Sequence, residues 1–370
     1  MWPERREREE IPEEETAARG REMNERDERA EKAGKRGRGR RRAGKRFRIA
    51  STAALIAFSS YLLLDTFVLA RAYSASGQSS ISSSDFANLK SSNSSTGTSS
   101  TKSSGKSSKK TTETQTQGSS GTGVYANATV VGTYSDDKLN ITVYRFYENS
   151  TYIYAADVQV TSAEYIKSAF AQGTYGKNVT AKTSSIADSV GAILAINGDY
   201  YGAQESGYVI RNGVLYRSTA DSDDQVLVIG TDGTMKVVSA SEASAQDLLD
   251  QGAWQAYSFG PGLIQNGKIS VSSNSEVGKA MASNPRTAIG QIGQGHYVFV
   301  VSDGRSSESQ GLSLYQLAQF MQSLGATTAY NLDGGGSSTM VFQGKVINNP
   351  TTTGRGTSER SVSDIVYIGS

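Results

Sequence analysis

The sequence runs to 370 residues with 38 Lys and Arg, 36 Asp and Glu, one His and no Cys. Lack of cysteine excludes disulfide stabilisation and Cys/His catalysis, and a lone histidine excludes a His-rich zinc site. The net charge of +2 averages over segments of very different character, so each is read by itself.

Residues 1–48 are dominated by Glu, Arg and Lys with almost no large apolar side chains. Such a segment cannot bury enough surface to offset the entropy of ordering, and it is expected to be disordered. From Lys32 to Arg48 its charges are all basic. Next comes the apolar stretch 49–70 (IASTAALIAFSSYLLLDTFVLA), long enough to cross a ~30 Å hydrocarbon core as a helix. Its one charge, Asp65, reads as interface-proximal rather than as part of an ion path. The flanking basic cluster puts the tail in the cytoplasm and everything after residue 70 outside, a single-pass signal-anchor topology in the cell membrane. The long charged tail and the lack of a small-residue cleavage site argue against a cleaved signal peptide. Residues 71–123, mostly Ser, Thr, Gly and Lys, are expected to form a flexible linker with a reach on the order of 40 Å.

From residue 124 onward the chain has 15 Lys and Arg against 21 Asp and Glu, a net charge of −6 that argues against nucleic-acid binding. Short Val-, Ile- and Tyr-rich runs predict strands at 139–147, 151–160, 192–196, 225–229, 235–238, 257–264, 297–301, 326–330 and 365–368. Asn212-Gly213, Asp232-Gly233 and Asn266-Gly267 read as hairpin turns. The clearest helix starts at Ser313, where Gln316 completes a capping box and Leu314, Leu317, Met321 and Leu324 form an apolar stripe. Shorter helices are expected at 162–171 and 241–250. The fold class is α+β, a sheet-rich single ectodomain with a few packed helices.

Chemistry concentrates in four segments. In Asn331-Leu332-Asp333-Gly334-Gly335-Gly336-Ser337-Ser338, three glycines after an aspartate free backbone N–H groups to cradle an anion. Asn197-Gly198-Asp199 ends a strand with an amide and a carboxylate. Pro285-Arg286-Thr287 sets an arginine, suited to bidentate phosphate binding, just before a strand. Asp303-Gly304-Arg305 closes an apolar strand with a carboxylate and a guanidinium. Glu205, Arg211 and Arg360 complete the candidate set. His296, beside a strand, fits packing or a hydrogen bond better than a Ser/His/Asp triad. No cofactor is required; carboxylates and backbone oxygens leave Ca or Mg open, though no EF-hand loop is present.

Taken in order with Gly260-Pro261 and the late Arg360, these segments resemble the phosphodiester glycosidase family, which includes the lysosomal uncovering enzyme and bacterial exopolysaccharide-associated proteins. The resemblance covers roughly residues 190–370. It implies hydrolysis of the bond between a sugar anomeric carbon and a phosphodiester. On that reading Asp333, Asp303, Asp199 and Glu205 are the candidate catalytic carboxylates. Asn197, Gly198, Arg211, Arg286, Thr287, Arg305, Asn331, Gly334, Gly335, Gly336, Ser337, Ser338 and Arg360 are candidates for binding substrate and phosphate. A non-catalytic module that holds anionic glycan, or one that assists exopolysaccharide assembly, is the alternative; the sequence names no protein partner.

Overall fold

The computed structural model describes residues 23–26, 28–29, 32, 51–52, 54–61, 69–75, 81–89, 123–275 and 283–369. They fall into two compact units, Met1–Val68 and Leu69–Ser370. In the first unit, residues 23–26 and 28–29 are helical where no order was expected, with Arg29 paired to Glu25 and Lys32 to Glu28 one helical turn away. Residues 51–52 and 54–61 are helical as well. Among the described residues no helix is long and apolar enough to cross a membrane; the expected span, 49–70, lies partly outside them.

The second unit is built from strands. They are β1 Arg71–Ala72, β2 Thr129–Ser135, β3 Leu139–Glu148, β4 Thr151–Val160, β5 Ile166–Phe170, β6 Gly176–Lys177, β7 Leu194–Asn197, β8 Val209–Arg211, β9 Val214–Arg217, β10 Gln225–Gly230, β11 Met235–Ser239, β12 Ala253–Ser258, β13 Gly262–Gln265, β14 Lys268–Ile269, β15 Arg286–Gly293, β16 His296–Ser302, β17 Thr328–Leu332, β18 Met340–Phe342, β19 Lys345–Val346 and β20 Asp364–Ile368. An eight-stranded sheet in the order β14-β13-β17-β15-β16-β4-β3-β2 is joined by two five-stranded sheets, β19-β18-β7-β20-β5 and β11-β10-β12-β8-β9.

The inner faces of all three sheets meet in one core, where Phe299 and Val301 pack with Leu194 and Val366 and with Leu227 and Tyr257. Each outer face carries its own short helix: Leu314–Ser323 on the large sheet, Ala245–Asp250 on the β8–β12 sheet and Thr183–Ser189 on the β7–β20 sheet. This explains the unbroken apolar run of β16. Tyr297, Phe299 and Val301 enter the common core while Val298 and Val300 face the helix, so period-two alternation buries both sets. Capping boxes start two of these helices, at Ser313 with Gln316 and at Ser244 with Asp247. In the Asn212-Gly213 and Asn266-Gly267 turns both residues have positive φ, which fits the tight right-twisted hairpin.

Two expectations change. The segment 162–171 is not a helix: a short 3-10 turn at Ala163–Tyr165 leads into β5, whose residues pair in register with β20 from Ile166↔Ile368 to Phe170↔Asp364. The expected strand 257–264 is two strands, because Pro261 has no N–H to donate to a continuous ladder.

Part of the stretch expected to be linker is docked on the domain. β1 pairs with β6, the Tyr73 N–H donates to the Tyr175 carbonyl (2.8 Å), and Ile81 lies over Gly213. Phe86 packs edge-on against Trp254. Leu89 is 5% exposed and fills the space where a Cβ on Gly233 or Gly295 would stand. Apolar side chains in a Ser-rich setting hold this segment in place. Leu89→Ala should therefore cost about 2–4 kcal/mol of stability, read as a lower urea midpoint at unchanged slope.

Candidate active site

Antiparallel register gathers the chemistry at one end of the large sheet. Arg286, the first residue of β15, pairs with Ser302 at the end of β16, and Thr287 pairs with Leu332 at the end of β17. Asp303 and Asp333 each follow directly on those strand ends. The β7–β20 sheet joins them through Asn197, which faces Ile365. Its Oδ1 accepts from the Thr287 hydroxyl (2.8 Å) and the Thr339 N–H (3.3 Å), and its Nδ2 donates to the Asp333 carbonyl (2.6 Å). Gly198 continues the seam, donating its N–H to the Asp364 carbonyl and accepting from the Asp333 N–H. A Cβ at Gly198 would lie 2.2 Å from an Asp364 carboxylate oxygen, so only glycine fits there.

Against this seam lies an open cleft of about 170 Å³ lined by Phe259, Asn284, Arg286, Arg305, Asp333, Gly334, Gly335 and Arg360. Among the described residues Asp333 is the one carboxylate on that lining. Burial raises its pKa, opposed by Arg360, Ser337 and the Gly334 N–H. Arg360 reaches it with Nη2 at 3.1 and 3.0 Å from the two oxygens and donates Nε to the Ser337 hydroxyl. Arg305 donates Nε and Nη2 to Asn284 Oδ1 (3.1 and 2.9 Å) and Nη1 to the Thr352 carbonyl. Burial and the charge of Arg360 both lower Arg305. Arg286 is anchored by an Nε bond to the Leu312 carbonyl and is 3% exposed. Among the described residues three guanidiniums and one carboxylate line the cleft, an arrangement suited to an anion.

Several candidates lie elsewhere. Asp199 and Arg211 do not reach the cleft: Arg211 is fully buried between Asp199 (2.8 Å) and Asp364 (2.8 Å), a structural cluster rather than a phosphate clamp. Burial opposes the charge on Arg211, but Asp199 and Asp364 outweigh it and raise its pKa. Burial pushes Asp364 up to about 7, although Arg211 pulls it down. Asp303, also raised by burial, turns from the cleft to accept from the Asn349 N–H (2.8 Å) and Asn348 Nδ2 (3.1 Å). Glu205 lies in a neighbouring groove, 80% exposed at its side chain and paired with Lys177.

Asn197 and Thr287 are buried scaffold. Asn331 donates to the Gly260 carbonyl (2.8 Å) and so fixes the segment that carries Phe259. The N–H groups of Gly335, Ser337 and Ser338 are already bonded to Pro285, Gly334 and Gly335, and Ser338 is fully buried. What the glycines provide is close approach: a Cβ on Gly335 (φ 62°) would meet the Arg305 guanidinium at 2.8 Å, and one on Gly336 would strike Thr352. Sequence reasoning did not assign Asn284 or Phe259 to the site, although Asn284 opens the segment that carries Arg286 and Phe259 directly precedes Gly260-Pro261. It also missed Asp364, which opens the last strand and has no local motif. Among the described residues no group of three or more His, Asp or Glu side chains could hold a metal ion.

Residues 190–369 match the family described as phosphodiester glycosidase. A SPbeta prophage-derived protein of Bacillus subtilis, YomE, is 33% identical over 189 residues, covering 50% of this chain and 29% of that protein. The mouse N-acetylglucosamine-1-phosphodiester alpha-N-acetylglucosaminidase is 28% identical over 176 residues, 44% of this chain and 34% of that enzyme. The chain thus spans about a third of the length of these curated relatives. The zebrafish enzyme's catalytic domain, in a structure auto-inhibited by its pro-peptide, shares the fold with a TM-score of 0.51 at 23% identity, covering 63% of this chain and 83% of that one.

Removal of Arg211 leaves two buried carboxylates uncompensated. Arg211→Met should cost about 3–5 kcal/mol near neutral pH. Without Arg211 to pull it down, burial would raise the Asp364 pKa further in the folded state, so the loss should shrink as pH falls and Asp364 protonates. Denaturant melts at pH 7 and 5 check both the size and the sign.

Proposed function

We propose that the phosphodiester glycosidase domain hydrolyses a sugar-1-phosphodiester in cell-surface glycan or exopolysaccharide. The observation that carries this reading is the desolvated carboxylate of Asp333 set among Arg286, Arg305 and Arg360 in an open cleft. The guanidiniums bind the phosphodiester and stabilise the charge that gathers on it as the bond from the anomeric carbon to oxygen breaks. Asp333 serves the anomeric carbon, either as nucleophile or as base to the attacking water. Water supplies OH to the sugar and a proton to the reaction, and the phosphate departs as a monoester. Arg360 orients Asp333 through both of its oxygens.

The basic cluster ahead of the apolar stretch 49–70 supports a single-pass anchor with this domain outside the cytoplasm. Protease added to intact cells should then degrade the domain and spare the N-terminal tail. Protection of the domain would overturn this placement.

Sugar release from a panel of sugar-1-phosphodiesters should be lost by at least ~1000-fold in Asp333→Asn, since the amide can act neither as base nor as nucleophile. Anionic glycan bound without turnover by the unaltered protein would instead favour the non-catalytic module. The pH profile is a second check. Asp333 must be ionised to act and burial raises its pKa, so the acid limb of kcat/KM should lie above the ordinary carboxylate value near ~4. Arg360 pulls that pKa down, so Arg360→Met should move the limb to still higher pH. A limb that stays in place would remove Asp333 from the titrating step.

A further inference from the structure

Resting on the reading of the cleft as a phosphodiester glycosidase site, we infer that the substrate is an oligosaccharide or longer glycan, bound along a groove that runs outward from the cleft and ends on Tyr73. Three cavities adjoin one another by sharing wall residues. The cleft of about 170 Å³ shares Phe259 with a second cavity of about 280 Å³. The second shares Gln204 and Glu205 with a third of about 90 Å³. A single sugar phosphate would be served by the cleft and its nearest neighbour.

The chemistry changes along the groove in the way a glycan would require. The cleft is cationic and holds the phosphodiester. Phe259, half-buried at the shared wall, offers an aromatic face for the C–H side of a sugar ring. The second cavity is lined by Asp221, Asp224, Gln225 and Ser258 and by no Arg, Lys or His. Its carboxylate, amide and hydroxyl groups accept from sugar hydroxyls and repel a second phosphate. The third cavity is walled by Tyr73, Tyr175 and Tyr201 together with Lys177, Glu205 and Arg217; Tyr175 and Tyr201 are buried and stacked on each other at 5.1 Å, which leaves the exposed ring of Tyr73 as its aromatic face. The ring of Phe259, the hydrogen-bonding wall and the ring of Tyr73 at the far end make a track for about two or three sugar residues.

Tyr73 lies outside the 190–369 family region, on the docked segment. β1 pairing with β6 and the Tyr73 N–H bond to the Tyr175 carbonyl hold it over the third cavity. The N-terminal segment thus adds a wall to the groove and extends specificity past the first sugar.

The test is a length series of neutral mono-, di- and trisaccharide 1-phosphodiesters with the full chain, alongside binding of the matching methyl oligosaccharides by saturation-transfer NMR. The inference expects kcat/KM to climb roughly tenfold from mono- to trisaccharide. Phe259→Ala should lower kcat/KM for every length, and Tyr73→Ala should flatten the step from di- to trisaccharide, reducing the tri-to-mono ratio severalfold. Cleavage with no dependence on length, or a ratio unchanged in Tyr73→Ala, would overturn the groove while leaving the glycosidase reading intact. If no phosphodiester of any length is cleaved, the glycosidase reading falls and NMR decides the groove: affinity rising with length upholds it, and flat affinity overturns it.

Discussion

Asn197 is the constraint on which the site depends. A single amide accepts from Thr287 on the large sheet and from the Thr339 N–H, while donating to the carbonyl of Asp333. All of this occurs in a buried setting where an unmade hydrogen bond costs more than in water. The bonds fix where the β7–β20 sheet meets the end of β17, and they therefore fix the backbone of Asp333. Gly198 brings the seam close enough for its own backbone to bond both Asp364 and Asp333. The sheets supply rigidity, and the amide converts it into a placed carboxylate.

Behind the cleft a second set of charges is kept apart from it. Asp199 and Asp364 share Arg211 in a cluster without solvent, which as two anions and one cation would carry a net negative charge facing Asp333. Burial pushes Asp364 up to about 7, and Asp333 is among the groups that raise it. Burial thus favours the protonated form of Asp364, which reduces the negative charge of the cluster behind the cleft. The two clusters divide the work: one joins the sheets, and the other meets the substrate.

The sequence revealed most where the signal is local. The apolar run of β16, the Asn-Gly hairpins and the capping box at Ser313 depend on neighbours a few residues away, and each appears where the pattern put it. The Asn331 to Ser338 motif likewise marked the cleft, because a glycine run after an aspartate is itself a backbone requirement. What sequence could not supply was which carboxylate faces solvent. Asp199, Asp303 and Asp333 all follow strand ends, yet partners distant in sequence decide their fates: Arg211 claims the first, Asn348 and Asn349 the second, and Arg360 the third. Strand β5 was read as a helix for the same reason, since its partner β20 lies nearly 200 residues later. The docked segment was hidden by its composition; a few apolar side chains among serines are enough to dock it.

The distribution of carboxylates also bears on which bond the cleft can break. Cleavage of an ordinary glycoside requires a proton for the departing oxygen, normally from a second carboxyl group across the bond. Among the described residues Asp333 is the one carboxylate on the cleft lining, while Asp303 is held through one oxygen by Asn348 and Asn349, and Asp199 and Asp364 each pair with Arg211. On the proposed glycosidase reading the need for such an acid is smaller, because a phosphate ester departs as an anion when cations receive its charge. On that reading Arg286, Arg305 and Arg360 are those cations, and they stabilise the departing phosphate electrostatically.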